Sequence, residues 1–184
     1  MMINEPITLA TDYMLTLASL IFGALLWRRG VRMWAIAFFF TAAGSFFGGT
    51  FHGFGGHAIW KATVYSIGLA SLFLLLPFLR VVAIVIFAAY AMWMTVHDDF
   101  VWVIVDYGVT MLLLAIVVTV RWSPMSRFVL LSVVVSVIGA VVQQAPIPYH
   151  NDIYHVIQLA ALFLLYRAGM LMTSETALPM TQPT

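Results

Sequence analysis

Asn151, Asp152, His155 and Gln158 stand at helical spacing near the C-terminal end of the chain. Asn151 and His155 are i, i+4 neighbours, while Asp152 and His155, and again His155 and Gln158, are i, i+3, so a helix gathers them into one polar stripe with apolar flanks. Neutral imidazole beside carboxylate or water suits zinc, whose catalytic sites keep one position open. A second histidine, His52, follows the small residues Gly44, Ser45, Gly48, Gly49 and Thr50. His52, His155, Asp152 and Asn151 are therefore the candidate metal ligands. Asp12 and Asp106 are candidates for a general base acting on metal-bound water. Lys61 is a candidate for neutralising one of these carboxylates and leaving the other free.

Each of these residues also has a structural use. Asn151 or Asp152 is placed to cap a helix after the Pro146 to Pro148 turn. Gly44, Ser45, Gly48 and Gly49 let a second helix approach closely. His52 can bond a loop carbonyl, and Lys61 can extend its ammonium outward along an apolar stem. His57, His97, Asp98, Asp99 and His150 fall between the apolar runs and read as solvated loop residues.

The elements that must position these groups are membrane spans. The chain has 184 residues, 64% hydrophobic and 8% charged, with a mean hydropathy of +1.05, more apolar surface than a soluble core of this size can hide. Spans of roughly 20 helical residues fit near residues 8–27, 33–52, 58–78, 81–97, 100–120, 127–143 and 151–167. Glycines, prolines and charge clusters separate them. The expected fold is an all-α seven-helix transmembrane bundle over residues 1–172, with a disordered tail over residues 173–184. Trp27, Trp34, Trp60, Trp102, Trp122, Tyr149 and Tyr166 sit near span ends, as interfacial aromatic belts do. Residues Met1 to Pro6 lack a positively charged region and include Glu5, so the first span reads as a retained helix.

Alternating the spans puts all seven arginines on one side. By the positive-inside rule that side is cytoplasmic, with the N-terminus outside and the C-terminus inside. The histidines and aspartates fall on or just beneath the other side. At 1.5 Å per residue, Asp12, Lys61 and His155 lie about one turn inside their spans and Asp106 about two turns inside. His52 closes the second span at the same level. Buried ionisable groups are costly in a bilayer and typically face the bundle interior, so these five define one candidate layer beneath the outer surface.

Composition narrows the function. With no cysteine, disulfides, thiolate metal sites and cysteine nucleophiles are excluded. No basic stripe is present to neutralise a phosphate backbone, which excludes nucleic acid. A transporter needs polar groups through both leaflets, and the inner halves of the spans carry no His, Asp, Glu or Lys. A retinal Schiff base needs a lysine in the bundle, usually on the seventh helix, and the sole lysine is Lys61 on the third.

Helix count, His52 at the end of the second span and His155 opening the seventh resemble the CREST superfamily of alkaline ceramidases and adiponectin receptors. That resemblance implies zinc held by three histidines and a hydrolase acting on a lipid amide or ester. Asn151 replaces the first histidine of its HxxxH motif, Gly48 its serine, and Lys61 stands where its aspartate is expected. Nearly the full length, from Glu5, Pro6 and Asp12, Tyr13 through Gly49, Thr50, His52 and Gly53, Trp60, Lys61 and Asn151 to Gln158, also resembles an uncharacterised bacterial family of small seven-helix proteins. The leading expectation is a metal-dependent hydrolase in the bacterial cytoplasmic membrane, acting on membrane lipid from the outer side. Its alternative is a non-catalytic protein that binds or senses a lipid or small-molecule ligand in an outer-side pocket.

Overall fold

Seven helices account for nearly all of residues 3–172, the part of the chain that the computed structural model describes. They are α1 (Pro6–Arg28), α2 (Arg32–Phe54), α3 (His57–Leu75), α4 (Arg80–Trp93), α5 (Val101–Val120), α6 (Ser126–Gln144) and α7 (His150–Met170). Six are long and apolar enough to cross a membrane, and the chain is an all-α membrane bundle. The tail expected to be disordered lies outside the described residues.

The fourth span differs from expectation. The apolar run predicts a span over residues 81–97, but α4 has 14 residues, about 21 Å of helix axis against a hydrocarbon core of about 30 Å. Met94, Thr95 and Val96 turn out of the helix. Positive φ values at Gly30 (84°) and at Gly55 and Gly56 (74° and 110°) let the chain reverse tightly between α1 and α2 and between α2 and α3, in a region that L side chains avoid.

Neighbour contacts run α1–α2–α3–α5–α6–α7 and return to α1, closing a ring of six helices, while α4 packs on α3 and α5. Gly68 of α3 makes that last contact possible, because the Tyr90 ring of α4 occupies the place of its missing side chain. With an odd number of passes, α1 and α7 run parallel. Thr8 meets Asp152 near their first turns and Phe22 stacks on Tyr166 near their last. One end of the bundle thus carries the histidines and the other the arginines.

The arginine end is packed solid. Leu26, Trp34, Phe38, Leu114, Met125 and Leu165 are completely or almost completely buried there. Trp34 is therefore a core residue and not the interfacial anchor expected of it. Its Nε1–H donates to the Leu74 carbonyl at 3.0 Å, which satisfies the one polar atom the indole carries.

Candidate functional site

Toward the histidine end the ring encloses a cavity of about 650 Å³, lined by all six ring helices and by no residue of α4. Small lining residues, among them Gly44, Ser45 and Gly48 of α2, Ala70 of α3 and Ala140 of α6, leave the centre unfilled. The lining is graded. Phe38, Leu74, Met111 and Leu165 form the deep part, whereas Asp12, His52, Asn151 and His155 lie toward the histidine end. The cavity also borders the α5–α6 seam, where Leu112 and Val137 line it while each is more than half exposed.

Asp12 and His155 are the buried pair of the wall, 5% and 6% exposed. His155 Nε2 lies 3.4 Å from Asp12 Oδ1, and His155 Nδ1 lies 2.8 Å from Thr11 Oγ1. Thr11 Oγ1 is also 3.0 Å from the Thr8 carbonyl, and its single proton serves one of these two acceptors at a time. When Thr11 donates to Thr8, its oxygen accepts from Nδ1–H and leaves Nε2 as an acceptor toward Asp12. When Thr11 donates to Nδ1, the ring proton sits on Nε2 and points to Asp12. Thr8 Oγ1 donates to Asp152 Oδ1 at 2.8 Å. These contacts lock α1 to α7, and Asp12 Oδ2 is left buried without a partner.

Gly48 and Gly49 shape the opposite side of Asp12. A Cβ on Gly48 would stand 3.6 Å from Asp12 Oδ2, and one on Gly49 would stand 2.9 Å from Asp12 Cβ. The glycines expected to admit another helix admit α1, and it is the carboxylate-bearing turn that they admit. A second polar group lies deeper. Gln158 Nε2 lies 3.5 Å from Tyr107 Oη, and the Ser136 hydroxyl stands beside Tyr107 on the lining.

The remaining members of the expected layer do not join this pair. His52 Nδ1 contacts Glu5 Oε2 at 2.9 Å. Lys61 Nζ pairs with Asp98 Oδ1 at 2.7 Å and donates to the Met94 and His97 carbonyls. Its expected pairing with Asp12 or Asp106 is therefore replaced by one with Asp98, because the 94–99 turn after the short α4 folds back over α3. Lys61 is absent from the cavity wall. Asp106 is 5% exposed but faces a small crevice between α3, α4 and α5 beside Ser71 and Thr110.

The loop expectations also change. Asp98 is engaged by Lys61 and, at 3.4 Å, by His57. The Lys61 hydrogen bond, opposed by slight desolvation and reinforced by the charges of Lys61 and His57, holds the Asp98 carboxyl below its ordinary 3.8. His150 begins α7, lies 2.9 Å from the Gln143 carbonyl through Nδ1 and reaches the cavity. Tyr149, with φ of 59°, is the N-cap residue of α7. Asn151 and Asp152 consequently lie inside the first turn and do not cap it. Asn151 reaches the cavity, and Asp152 remains at the positive end of the helix dipole.

The zinc expectation does not fit these contacts. Asp152 is turned to Thr8, both His155 nitrogens have neighbours, and His52 is held by Glu5. Among the described residues, no three His, Asp or Glu side chains are close enough together to hold a metal ion. Sequence reasoning passed over Glu5, Thr8 and Thr11. Thr8, Thr11 and Asp12 form an i, i+3, i+4 stripe on an otherwise apolar helix, which was the available signal.

A ring of membrane helices around a cavity that is polar at one end and apolar at the other defines the class: a seven-helix membrane protein with an internal ligand-sized chamber. More particularly, the chain belongs to a family of unknown function, DUF6962, which matches residues 7–174 and so takes in all seven helices. No curated protein and no solved structure matches it.

Proposed function

We propose that the protein binds a membrane amphiphile in its cavity, headgroup at the Asp12–His155 level and hydrocarbon toward Phe38, Leu74 and Leu165. One observation carries the proposal: a chamber of about 650 Å³ whose carboxyl and imidazole lining residues all lie toward one end. That volume is typical of small-molecule sites, which combine an apolar wall with a few placed polar groups. All seven arginines lie at the other end, so the positive-inside rule turns the polar mouth outward. On this account the protein belongs in a bacterial cytoplasmic membrane and takes its ligand from the outer side, as a binding or sensing protein.

A second reading, hydrolysis of a lipid amide or ester, is favoured by the Asp12–His155 contact at the cavity wall. There an imidazole and a carboxylate can take a proton from water. This reading uses no metal, because among the described residues no three His, Asp or Glu side chains are gathered to hold one, and the CREST resemblance rests on helix count and two histidines.

Native mass spectrometry of protein released from a mild detergent tests the binding proposal. The wild type is expected to retain one amphiphile per chain, and Ala70→Phe, which fills the chamber from α3, is expected to retain none while keeping its helical spectrum. Equal retention by the two proteins refutes it. Release of a free acid from an added lipid amide or ester, abolished in His155→Ala, would establish the hydrolase instead.

A further inference from the structure

We propose that the ligand of this cavity is a single-chain amphiphile with a protonated primary amine as its headgroup. The inference rests on the binding reading above and specifies the chemistry of its occupant.

The first argument is charge. Among the described residues, no arginine or lysine lines the cavity. The arginines sit at the opposite end, and Lys61 is committed to Asp98 and two carbonyls. The carboxyl and imidazole groups that do line it are Asp12, His52, His150 and His155. The one carboxyl of the wall, Asp12, therefore faces the cavity with no permanent cation beside it. A carboxylate or phosphate headgroup meets no lysine or arginine here and faces the Asp12 carboxyl, and a buried anion without a cation beside it is strongly disfavoured.

Hydrogen-bonding capacity points the same way. Two buried side-chain oxygens of the wall toward the histidine end lack partners, Asp12 Oδ2 and Gln143 Oε1. An amide oxygen and a carboxylate oxygen only accept. An ammonium brings three donors and no acceptor, and its bond to a carboxylate is charge-assisted and stronger than a neutral one. A quaternary ammonium carries the charge but has no N–H to give the unpartnered Asp12 oxygen.

Depth sets the size of the hydrocarbon part. From the level of His155 to that of Leu165 on α7 are about ten residues, or about 15 Å of axis, the length of an extended alkyl chain of roughly a dozen carbons. Phe38, Leu74 and Leu165 close that end without a polar side chain.

Dodecylamine, dodecanol and laurate, each titrated into the full chain in neutral nanodiscs, separate the possibilities. Binding is taken as the tryptophan-fluorescence response of the wild type minus that of Ala70→Phe, which removes partition into the bilayer. Dodecylamine is expected to bind at least tenfold more tightly than dodecanol, with laurate indistinguishable from the blocked variant. Asp12→Asn, similar in size to the native residue, is expected to lower the amine to the level of the alcohol. If all three probes bind alike, or laurate binds best, the amine assignment fails while the cavity reading stands. If none binds above the blocked variant, both fail. The wild-type comparison decides the matter even where Asp12→Asn does not fold.

Discussion

Gly48 and Gly49 are neighbours on α2, yet a methyl group added to each meets different surroundings, and that difference gives a controlled test of how α1 is seated. Alanine is favoured over glycine in a helix interior by about 0.5–1 kcal/mol. This gain is common to Gly48→Ala and Gly49→Ala and cancels between them. At Gly48 the new Cβ stands 3.5 Å from Thr63 Cγ2 and 3.6 Å from Asp12 Oδ2, ordinary contact distances. At Gly49 it stands 2.9 Å from Asp12 Cβ and 3.1 Å from two ring atoms of Tyr13. Asp12 Cβ is fixed to the α1 backbone and cannot rotate away, so the helices must part. Overpacking of this kind typically costs about 1–3 kcal/mol, and Gly49→Ala is therefore expected to be less stable than Gly48→Ala by about 1–3 kcal/mol. Reversible unfolding by dodecyl sulfate in mixed micelles, followed by circular dichroism, measures the gap directly. Coincident transitions, or a more stable Gly49→Ala, would refute the close seating of α1 against α2. The same comparison has a functional side: in Gly48→Ala the fold survives while a methyl group stands beside the unpartnered Asp12 oxygen, so amphiphile retention should fall without loss of stability.

Lys61→Met removes the 2.7 Å pair with Asp98 and the donors to the Met94 and His97 carbonyls. It is expected to destabilise the 94–99 turn by about 1 kcal/mol or more and to leave amphiphile retention within about twofold. Loss of retention in a stably folded Lys61→Met would return this lysine to the site. For Asp98 the sign follows from a folded-state carboxyl held below its ordinary 3.8, chiefly by the Lys61 hydrogen bond. Its contribution to stability is present above that value and disappears as pH falls through the lower folded-state value. Thermal midpoints measured between about pH 5 and pH 3 should therefore fall less steeply for Asp98→Asn than for the wild type, and added salt should shrink the difference because the group is exposed. Identical slopes at low salt would show that Lys61 and Asp98 are not paired in solution.

Much of the fold was legible because insertion into a bilayer leaves a coarse signal: long apolar runs, breakers between them and arginines on alternate loops. α4 escaped because its apolar run continues through Met94 and Val96 after the helix has ended, so hydropathy alone gives no stop. The site was legible at the level of a single helix. Spacing put Asp152 and His155 near one face of α7 and Asp12 on α1, but it carried no information about the rotation of one helix against its neighbours. That rotation sends Asp152 to Thr8 and Asp106 toward α4, away from the cavity. Lys61 departs from expectation for another reason. Its partner Asp98 lies on a loop whose polar sequence reads as solvated, and that loop folds over the first turn of α3.

The pairings that dissolve the expected metal site also set the charge of the chamber. Glu5 engages His52 and Asp98 engages Lys61, each from outside the ring helices, so the sole lysine is taken off the cavity wall. What remains inside is a carboxylate oxygen without a partner, packed against a glycine and facing a volume too large for its own helices to fill. A dry cavity with that rim would leave acceptors unpaired at a cost of about 1–3 kcal/mol each, more where the acceptor is charged. Water satisfies the rim but not the apolar depth beneath it. A molecule with donors at one end and hydrocarbon at the other satisfies both, and that requirement, more than the identity of any single residue, makes an amphiphile the occupant that fits this bundle.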